Sequence, residues 1–364
     1  MSESEKQTAL VPTQSIALTK PGAKSLIARG HVDLRNNEEA EAWLKKGLDF
    51  CKNKQYEEAF ARFGRGIQLN PNHPELQYWI GELFFDGLGV DRDCLHAAFW
   101  YRKAAEQEHS KAQLSLGLMY AGGQGVPQDY TQATFWYCKS AEQGFSDAQF
   151  NLGVMYHRGQ GVLQDYTQAA FWFRKSAEQG DLRAQYNLGV MYHRGQGVPQ
   201  DYTQAAFWYR KSAEQGVLRA QYDLGVMYYS GQGVPQDYTQ AAFWYRKSAE
   251  QGNSQAQSNL GVMYYSGQGV PEDYTQAEFW YRKSAEQGDS SAQLNLGVMY
   301  YSGQGVPQDY TQAAFWYRKA AEQGNSDAQY NLGMMYQRGQ GVPEDYTQAS
   351  SWFRKATEQG DPAP

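Results

Sequence analysis

The tetrapeptide Tyr-Thr-Gln-Ala begins at Tyr130, Tyr166, Tyr202, Tyr238, Tyr274, Tyr310 and Tyr346, a step of 36 residues each time. Cys94 holds the same place in a more divergent copy. The copies that start at Ala184 and Ala220 differ at only 6 of 36 positions, and eight copies fill residues 76–363. A period of this size is the mark of small units stacked in a row, so chain length says nothing about domain count here.

Each unit reads as two antiparallel helices. In the fourth, the first helix spans about Leu182 to Arg194, with an apolar stripe of Ala184, Leu188, Met191 and Tyr192 at helical spacing. Gly189 lies beside that stripe, where a missing side chain allows close helix contact, and Gly195 supplies a left-handed stop. The connector Gln196-Gly197-Val198-Pro199-Gln200 is a run of helix breakers. The second helix starts at Asp201, whose carboxylate can accept backbone N–H bonds, with Gln204 placed three residues on as in a capping box. Ala205, Trp208, Tyr209, Ser212 and Ala213 form its buried stripe, and Gly216 ends it. A lone hairpin cannot cover both its faces, whereas stacked neighbours can. The expected fold class is therefore all-α, an α/α solenoid of stacked helical hairpins.

Upstream lies one variant unit of about 34 residues, 40–73, carrying Trp43, Gly47, Phe50, Tyr56, Ala59, Phe63, Gly66 and Pro71. Residues 1–37 lack periodicity and hold Pro12, Pro21 and scattered charge, so they read as a disordered tail with short order around Ser25 to Leu34.

The pattern of Leu188-Gly189, Tyr192, Gly195, Gly197-Val198, Asp201, Ala205, Trp208-Tyr209, Lys211 and Ala213 to Gly216 resembles the Sel-one-like repeat family, over residues 76–363. Residues 40–73 resemble a single tetratricopeptide repeat, a related helical hairpin. The resemblance implies a right-handed α/α superhelix acting as an adaptor or scaffold. Members of the family bridge signalling complexes, act in membrane-protein quality control, or mediate bacterial contact with a host. Some carry a cysteine pair in each repeat. This chain has only Cys51, Cys94 and Cys138 and lacks that pattern, which sets it apart from the disulfide-bonded subgroup.

Composition narrows the function further. Charges sum to −6, which disfavours a dedicated binder of nucleic acid or of anionic membranes. The N-terminus Met-Ser-Glu-Ser-Glu-Lys is no secretory leader, and no run approaches the ~20 apolar residues of a membrane span, so a cytoplasmic location is expected; leaderless secretion would look the same. The three cysteines form no metal-ligand spacing and read as idle thiols.

Repetition is a poor setting for catalysis, because a catalytic site needs unlike groups converging at one point. His157 and His193 are equivalent positions in adjacent units with no third ligand at useful spacing, so no metal site is expected. Gly195-Gln196-Gly197 lacks the third glycine, the strand and the lysine of a nucleotide loop. Asp201 and Glu214 read as capping and solvated pairing with Arg210 and Lys211. No Ser-x-x-Lys element exists, so the β-lactam link of some family members does not carry over. The expectation is a non-enzyme with no cofactor.

Two surfaces stand out. On the first helix Tyr186, Val190 and His193 are spaced to lie opposite the Leu188 stripe, and in related superhelices that helix lines the inner groove. Equivalent positions are Phe150 and His157; Tyr222, Val226 and Tyr229; Tyr265; and Tyr301. Such a wall suits an extended peptide or helix of a protein partner; the alternative is that these side chains pack on the neighbouring unit. On the second helix Phe207 falls about 180° from the buried stripe. It recurs as Phe99, Phe135, Phe171, Phe243, Phe279 and Phe315, with Ser351 in the last unit. This reads as an outer ladder for self-association, or as rings half-buried over the seams. The functional expectation is a protein–protein interaction scaffold using the inner groove. A regulatory or structural subunit assembling through the Phe ladder comes second, and a cell-wall or β-lactam hydrolase last.

Overall fold

The computed structural model describes residues 34–358, all of whose regular structure is helical. The first hairpin is α1 (Leu34–Lys52) and α2 (Tyr56–Leu69). Eight more follow: α3 (Pro74–Asp86) with α4 (Cys94–Ala105), α5 (Ser110–Gly122) with α6 (Tyr130–Glu142), α7 (Ser146–Arg158) with α8 (Tyr166–Glu178), and α9 (Leu182–Arg194) with α10 (Tyr202–Glu214). The last four are α11 (Leu218–Ser230) with α12 (Tyr238–Glu250), α13 (Ser254–Ser266) with α14 (Tyr274–Glu286), α15 (Ser290–Ser302) with α16 (Tyr310–Glu322), and α17 (Ser326–Arg338) with α18 (Tyr346–Glu358). Each helix packs mainly on its hairpin partner, and each second helix then packs on the first helix of the next unit. This chain of nearest-neighbour contacts is the solenoid.

The helix boundaries follow from local chemistry. Asp201 accepts from the N–H groups of Thr203 (2.9 Å) and Gln204 (3.0 Å), capping α10. The reciprocal half of the capping box is absent, because the Asp201 N–H donates to the Tyr192 carbonyl (3.0 Å) and ties the connector back to α9. Gly195 closes α9 at φ 68°, with its N–H on the Met191 carbonyl. α1 begins at Leu34, inside the segment expected to be a tail; the rest of that tail, including the order expected from Ser25, lies outside the described residues.

The core repeats with the sequence. Ala184, Leu188, Met191, Ala205, Tyr209, Ser212 and Ala213 are buried, while Tyr192 and Trp208 are half-buried rather than enclosed. Gly189 faces the Tyr209 ring so closely that an added Cβ would sit 2.7 Å from Cδ1. Gly197 has a second role. At φ 68° it lies against α8 of the preceding unit, where a Cβ would stand 2.1 Å from the Tyr166 carbonyl oxygen. The connector is thus a spacer between units as well as a turn.

Buried polar groups form a ladder along the stack. Gln185 is 4 % exposed; its Nε2 donates to the Ala177 carbonyl of the preceding unit (3.2 Å), and its Oε1 accepts from Gln215 of its own unit (3.1 Å). Gln113, Gln149, Gln221, Gln257 and Gln293 repeat this arrangement. A buried amide bonded to a last-turn carbonyl of the preceding unit's second helix fixes the register of one unit on the next.

The recurring Arg and Lys are not paired with Asp201 and Glu214 as the sequence suggested. Arg210 donates to the Tyr228 hydroxyl of the next unit (2.5 Å), and the Lys211 ammonium sits 5.7 Å above the Phe207 ring.

Candidate functional site

The first-helix side chains divide into those that seal a seam and those left open above it. Phe150, Tyr186 and Tyr222 are half-buried, each tilted on a ring of its own second helix: Phe173 at 5.8 Å, Tyr209 at 5.7 Å and Tyr245 at 5.9 Å. Val190 and Val226 lie in the same seams, packed with Tyr186 and Tyr222 against clusters that include the following unit. His157, His193, Tyr229 and Tyr265 set a ring edge-on to the first residue of the second helix, Tyr166, Tyr202, Tyr238 and Tyr274, and Tyr301 tilts on Tyr310, all at 5.2 Å. The expected groove residues therefore contribute to packing between units while keeping part of each side chain open.

The row is also tied sideways. The hydroxyls of Tyr229, Tyr265 and Tyr301 donate to Gln268 (3.3 Å), Gln304 (2.6 Å) and Gln340 (3.2 Å) of the following connectors. Arg183 of α9 pairs with Asp147 of α7 at 2.5 Å, and its guanidinium covers the Phe150 ring at 4.1 Å. Arg338 of α17 donates to the Tyr301 hydroxyl of α15 at 3.4 Å. Successive first helices thus meet through their side chains.

Burial sets the local electrostatics. His157 and His193 are held below their ordinary range by desolvation and then by Arg158 and Arg194, so both are neutral near pH 7. Asp223 stands where the neighbouring units carry Asn187 and Asn259. Burial pushes its carboxyl up to about 6, against the opposing influence of the Tyr186 hydroxyl, Arg219 and Arg194. Burial and Asp223 together push the Tyr186 hydroxyl up to about 12.

The second-helix rings behave differently. Phe99, Phe135, Phe171, Phe207, Phe243, Phe279 and Phe315 are all 43–49 % exposed. Each pairs with the ring of the tryptophan that follows it, edge to face at 4.9–5.3 Å. In six of the seven units a lysine four residues on lies 4.6–5.8 Å above the ring. The result is a regular row of half-open aromatic rings capped by ammonium groups.

Other candidates are absorbed by the fold. His73 and His109 are helix caps: their Nδ1 atoms accept from Leu76 N (3.3 Å) and Ala112 N (3.1 Å), while Nε2 faces Glu41 (3.1 Å) and Glu75 (2.7 Å). Their recurrence just before α3 and α5 is the signal that the sequence holds for this role. Cys138 donates to Glu142 (3.3 Å) in the slot of the recurring arginine, and burial pushes its thiol up to about 11. A hollow of about 510 Å³ is lined by Arg102, Glu106, Asp129 and Gln132 among others. Its Asp129 is occupied in capping α6 and its Arg102 donates to Tyr120. Among the described residues no three His, Cys, Asp or Glu side chains converge on a metal position, and no helix is long and apolar enough to cross a membrane.

Comparison with known proteins agrees with this architecture. The family model described as the Sel1 repeat matches eight consecutive segments, 74–109, 110–145, 146–181, 182–217, 218–253, 254–289, 290–325 and 326–361. A protective antigen of uropathogenic Escherichia coli with an SLR fold is 44 % identical, with a TM-score of 0.77; the match covers 83 % of this chain and 64 % of that one. A Sel1 repeat protein from Oxalobacter formigenes is 32 % identical over 95 % of both chains, with a TM-score of 0.61. No curated protein matches. The eight matched segments, which cover most of the polypeptide, together with the shared fold place it in a family: the chain belongs to the Sel1 repeat family.

Proposed function

We propose that the protein is a non-catalytic interaction scaffold that binds an extended segment of a partner protein along the face of its first helices. The observation that carries this reading is the continuity of that face. Side chains of successive first helices touch, as at Arg183–Asp147 and Arg338–Tyr301, whereas the ring partners of the outer Phe residues come from their own helix, as with Trp208 and Lys211 at Phe207. We take these contacts between successive first helices to mark the concave side of the stack, which makes the first-helix face an inner groove. Half-buried Tyr and His rings there offer contact area with little rotamer entropy to lose. Modest contacts repeated in each unit then add along one bound chain.

The test is selection of a random dodecapeptide display library on the whole chain, then comparison with a Tyr229→Ala, Tyr265→Ala, Tyr301→Ala variant checked for folding by circular dichroism. Binding lost in the folded variant supports the groove. Binding unchanged sinks it.

A second reading is favoured by the Phe row, which is exposed to nearly the same degree in seven successive units. Such a row is the kind of surface that mediates assembly into oligomers. Analytical ultracentrifugation decides this: Phe207→Glu with Phe243→Glu should dissociate an oligomer into folded monomers. A wild-type chain that stays monomeric at high concentration rules assembly out.

A further inference from the structure

The units are near copies, but their first helices do not carry the same chemistry along the stack. α7, α9 and α11 bear Arg158, Arg183, Arg194 and Arg219 against Asp147 and Asp223, in a chain whose net charge is −6. α13 and α15 bear no charged residue. The change is sharpest at the helix ends, where His157-Arg158 and His193-Arg194 give way to Tyr229-Ser230, Tyr265-Ser266 and Tyr301-Ser302. The fold does not require it. The glutamine ladder and the Leu and Met core are the same in both zones, and the Ser230 hydroxyl simply turns back to the Val226 carbonyl (2.9 Å).

Most of this charge is uncommitted. Arg183 is held by Asp147 and Asp181. Arg158, Arg194 and Arg219 are exposed and make no ion pair among the described residues. Arg194 acts at a distance on His157, His193 and Asp223, which places it among the groove side chains of three successive units. Half-buried asparagines recur at one position of the first helices, with Asp223 in that place on α11 and Asn259 of α13 bonded to Tyr222. The amides of Asn151, Asn187, Asn295 and Asn331 make no side-chain hydrogen bond among the described residues and are not sealed from solvent. A primary amide offers both donor and acceptor, the complement of a peptide group. These amides can therefore hold a backbone without reading its sequence.

We propose that the face of α7, α9 and α11 receives an acidic stretch of an extended partner polypeptide, and that the uncharged Tyr–Ser face of α13 and α15 receives the adjoining uncharged stretch. Guanidinium groups that are desolvated only on contact favour carboxylates through charge-assisted, geometrically matched bonds. Charge complementarity of this kind selects the partner and sets its register. The inference rests on the groove reading above and adds the class of sequence recognised and its direction along the stack.

The same dodecapeptide selection tests it separately. Peptides enriched on the whole chain should carry clustered Asp or Glu, and their binding should weaken steeply as salt is raised. An Arg158→Ser, Arg194→Ser variant, which installs the residue found at the next three units, should bind them about tenfold more weakly with unchanged circular dichroism. The salt titration needs no variant and stands even if that one misfolds. Enriched peptides without acidic bias, or acidic peptides bound equally by the variant, overturn the proposal; if their binding still falls with Tyr229→Ala, Tyr265→Ala, Tyr301→Ala, the groove reading survives. Tighter binding of a mixed-sequence single-stranded oligonucleotide than of the acidic peptides also overturns it. Enrichment of no peptide at all removes both readings.

Discussion

Gly197 and Gly216 lie in the same unit, both with left-handed backbone, at φ 68° and 94°. They differ in what surrounds them. A Cβ on Gly216 meets nothing within 4 Å, whereas one on Gly197 would stand 2.1 Å from the Tyr166 carbonyl oxygen of the preceding unit. Gly216→Ala therefore reports only the backbone penalty, about 1–2 kcal/mol for an L-residue in that region. Gly197→Ala adds a collision with main chain, which cannot rotate away. Ordinary contact requires the two units to part by more than an ångström locally, and overpacking of this kind costs about 1–3 kcal/mol. The expected totals are about 1–2 kcal/mol for Gly216→Ala and about 2–5 kcal/mol for Gly197→Ala. Urea unfolding followed by circular dichroism measures both. Because the damage falls between the third and fourth units, Gly197→Ala should also split or broaden the transition as the array loses coupling there. Equal losses for the two variants, with a single sharp transition in each, would refute the idea that the connector glycine spaces the units.

Other expectations follow from the same geometry. Gly189→Ala gains about 1 kcal/mol of helix propensity but forces its methyl against the enclosed Tyr209 ring, a penalty of about 1–3 kcal/mol, so thermal unfolding should show no gain and up to about 2 kcal/mol of loss. Gln185→Leu removes one of two donors to the Ala177 carbonyl, which keeps the Gly180 N–H, and leaves Gln215 only the Lys211 carbonyl; a loss of about 0.5–1.5 kcal/mol is expected in denaturant titration. Asp201→Ala removes a helix cap and should lower stability by about 1 kcal/mol. Asp223 titrates at about 6 in the folded chain and near 3.8 when unfolded, so between those values the folded state holds the extra proton. Its contribution to stability is greatest below pH 4 and is lost as pH rises toward 6. Asp223→Asn should therefore gain about 1–3 kcal/mol over the wild type at pH 7 and flatten the profile from pH 4 to 6; an unchanged profile would contradict the burial of this carboxyl.

The stack was legible because repetition averages out local ambiguity. One hairpin of Ala184, Leu188, Met191, Ala205 and Tyr209 is a weak pattern, whereas eight copies in step leave little freedom. Caps such as Asp201 and stops such as Gly195 act within a few residues and could be read directly. Interactions joining distant positions could not. Gln185 reaches Gln215, thirty residues away, so a polar residue beside the apolar stripe gave no hint of burial except its recurrence in every unit. The same holds for Arg210 and the Tyr228 hydroxyl, and for His109 turning its second nitrogen to Glu75. At the candidate groove the sequence offered two roles for Tyr186 and Tyr222, partner contact or packing on the neighbouring unit, and only the structure shows their rings half-buried in a seam with part of each left open. The charge zoning of the first helices is plain in the residues themselves. It acquires meaning only once Arg183 is seen to be paired and Arg158 and Arg194 are seen to be free of ion pairs among the described residues.

Where a ligand touches the array is the most direct measurement. A photo-reactive benzoyl-phenylalanine placed at Tyr265, and separately at Phe243, puts the probe on the first-helix face or on the outer row of the same stack. With a selected peptide bound, the probe at 265 should capture it and the probe at 243 should not. Capture from 243 alone would move recognition to the outer rings and contradict the account.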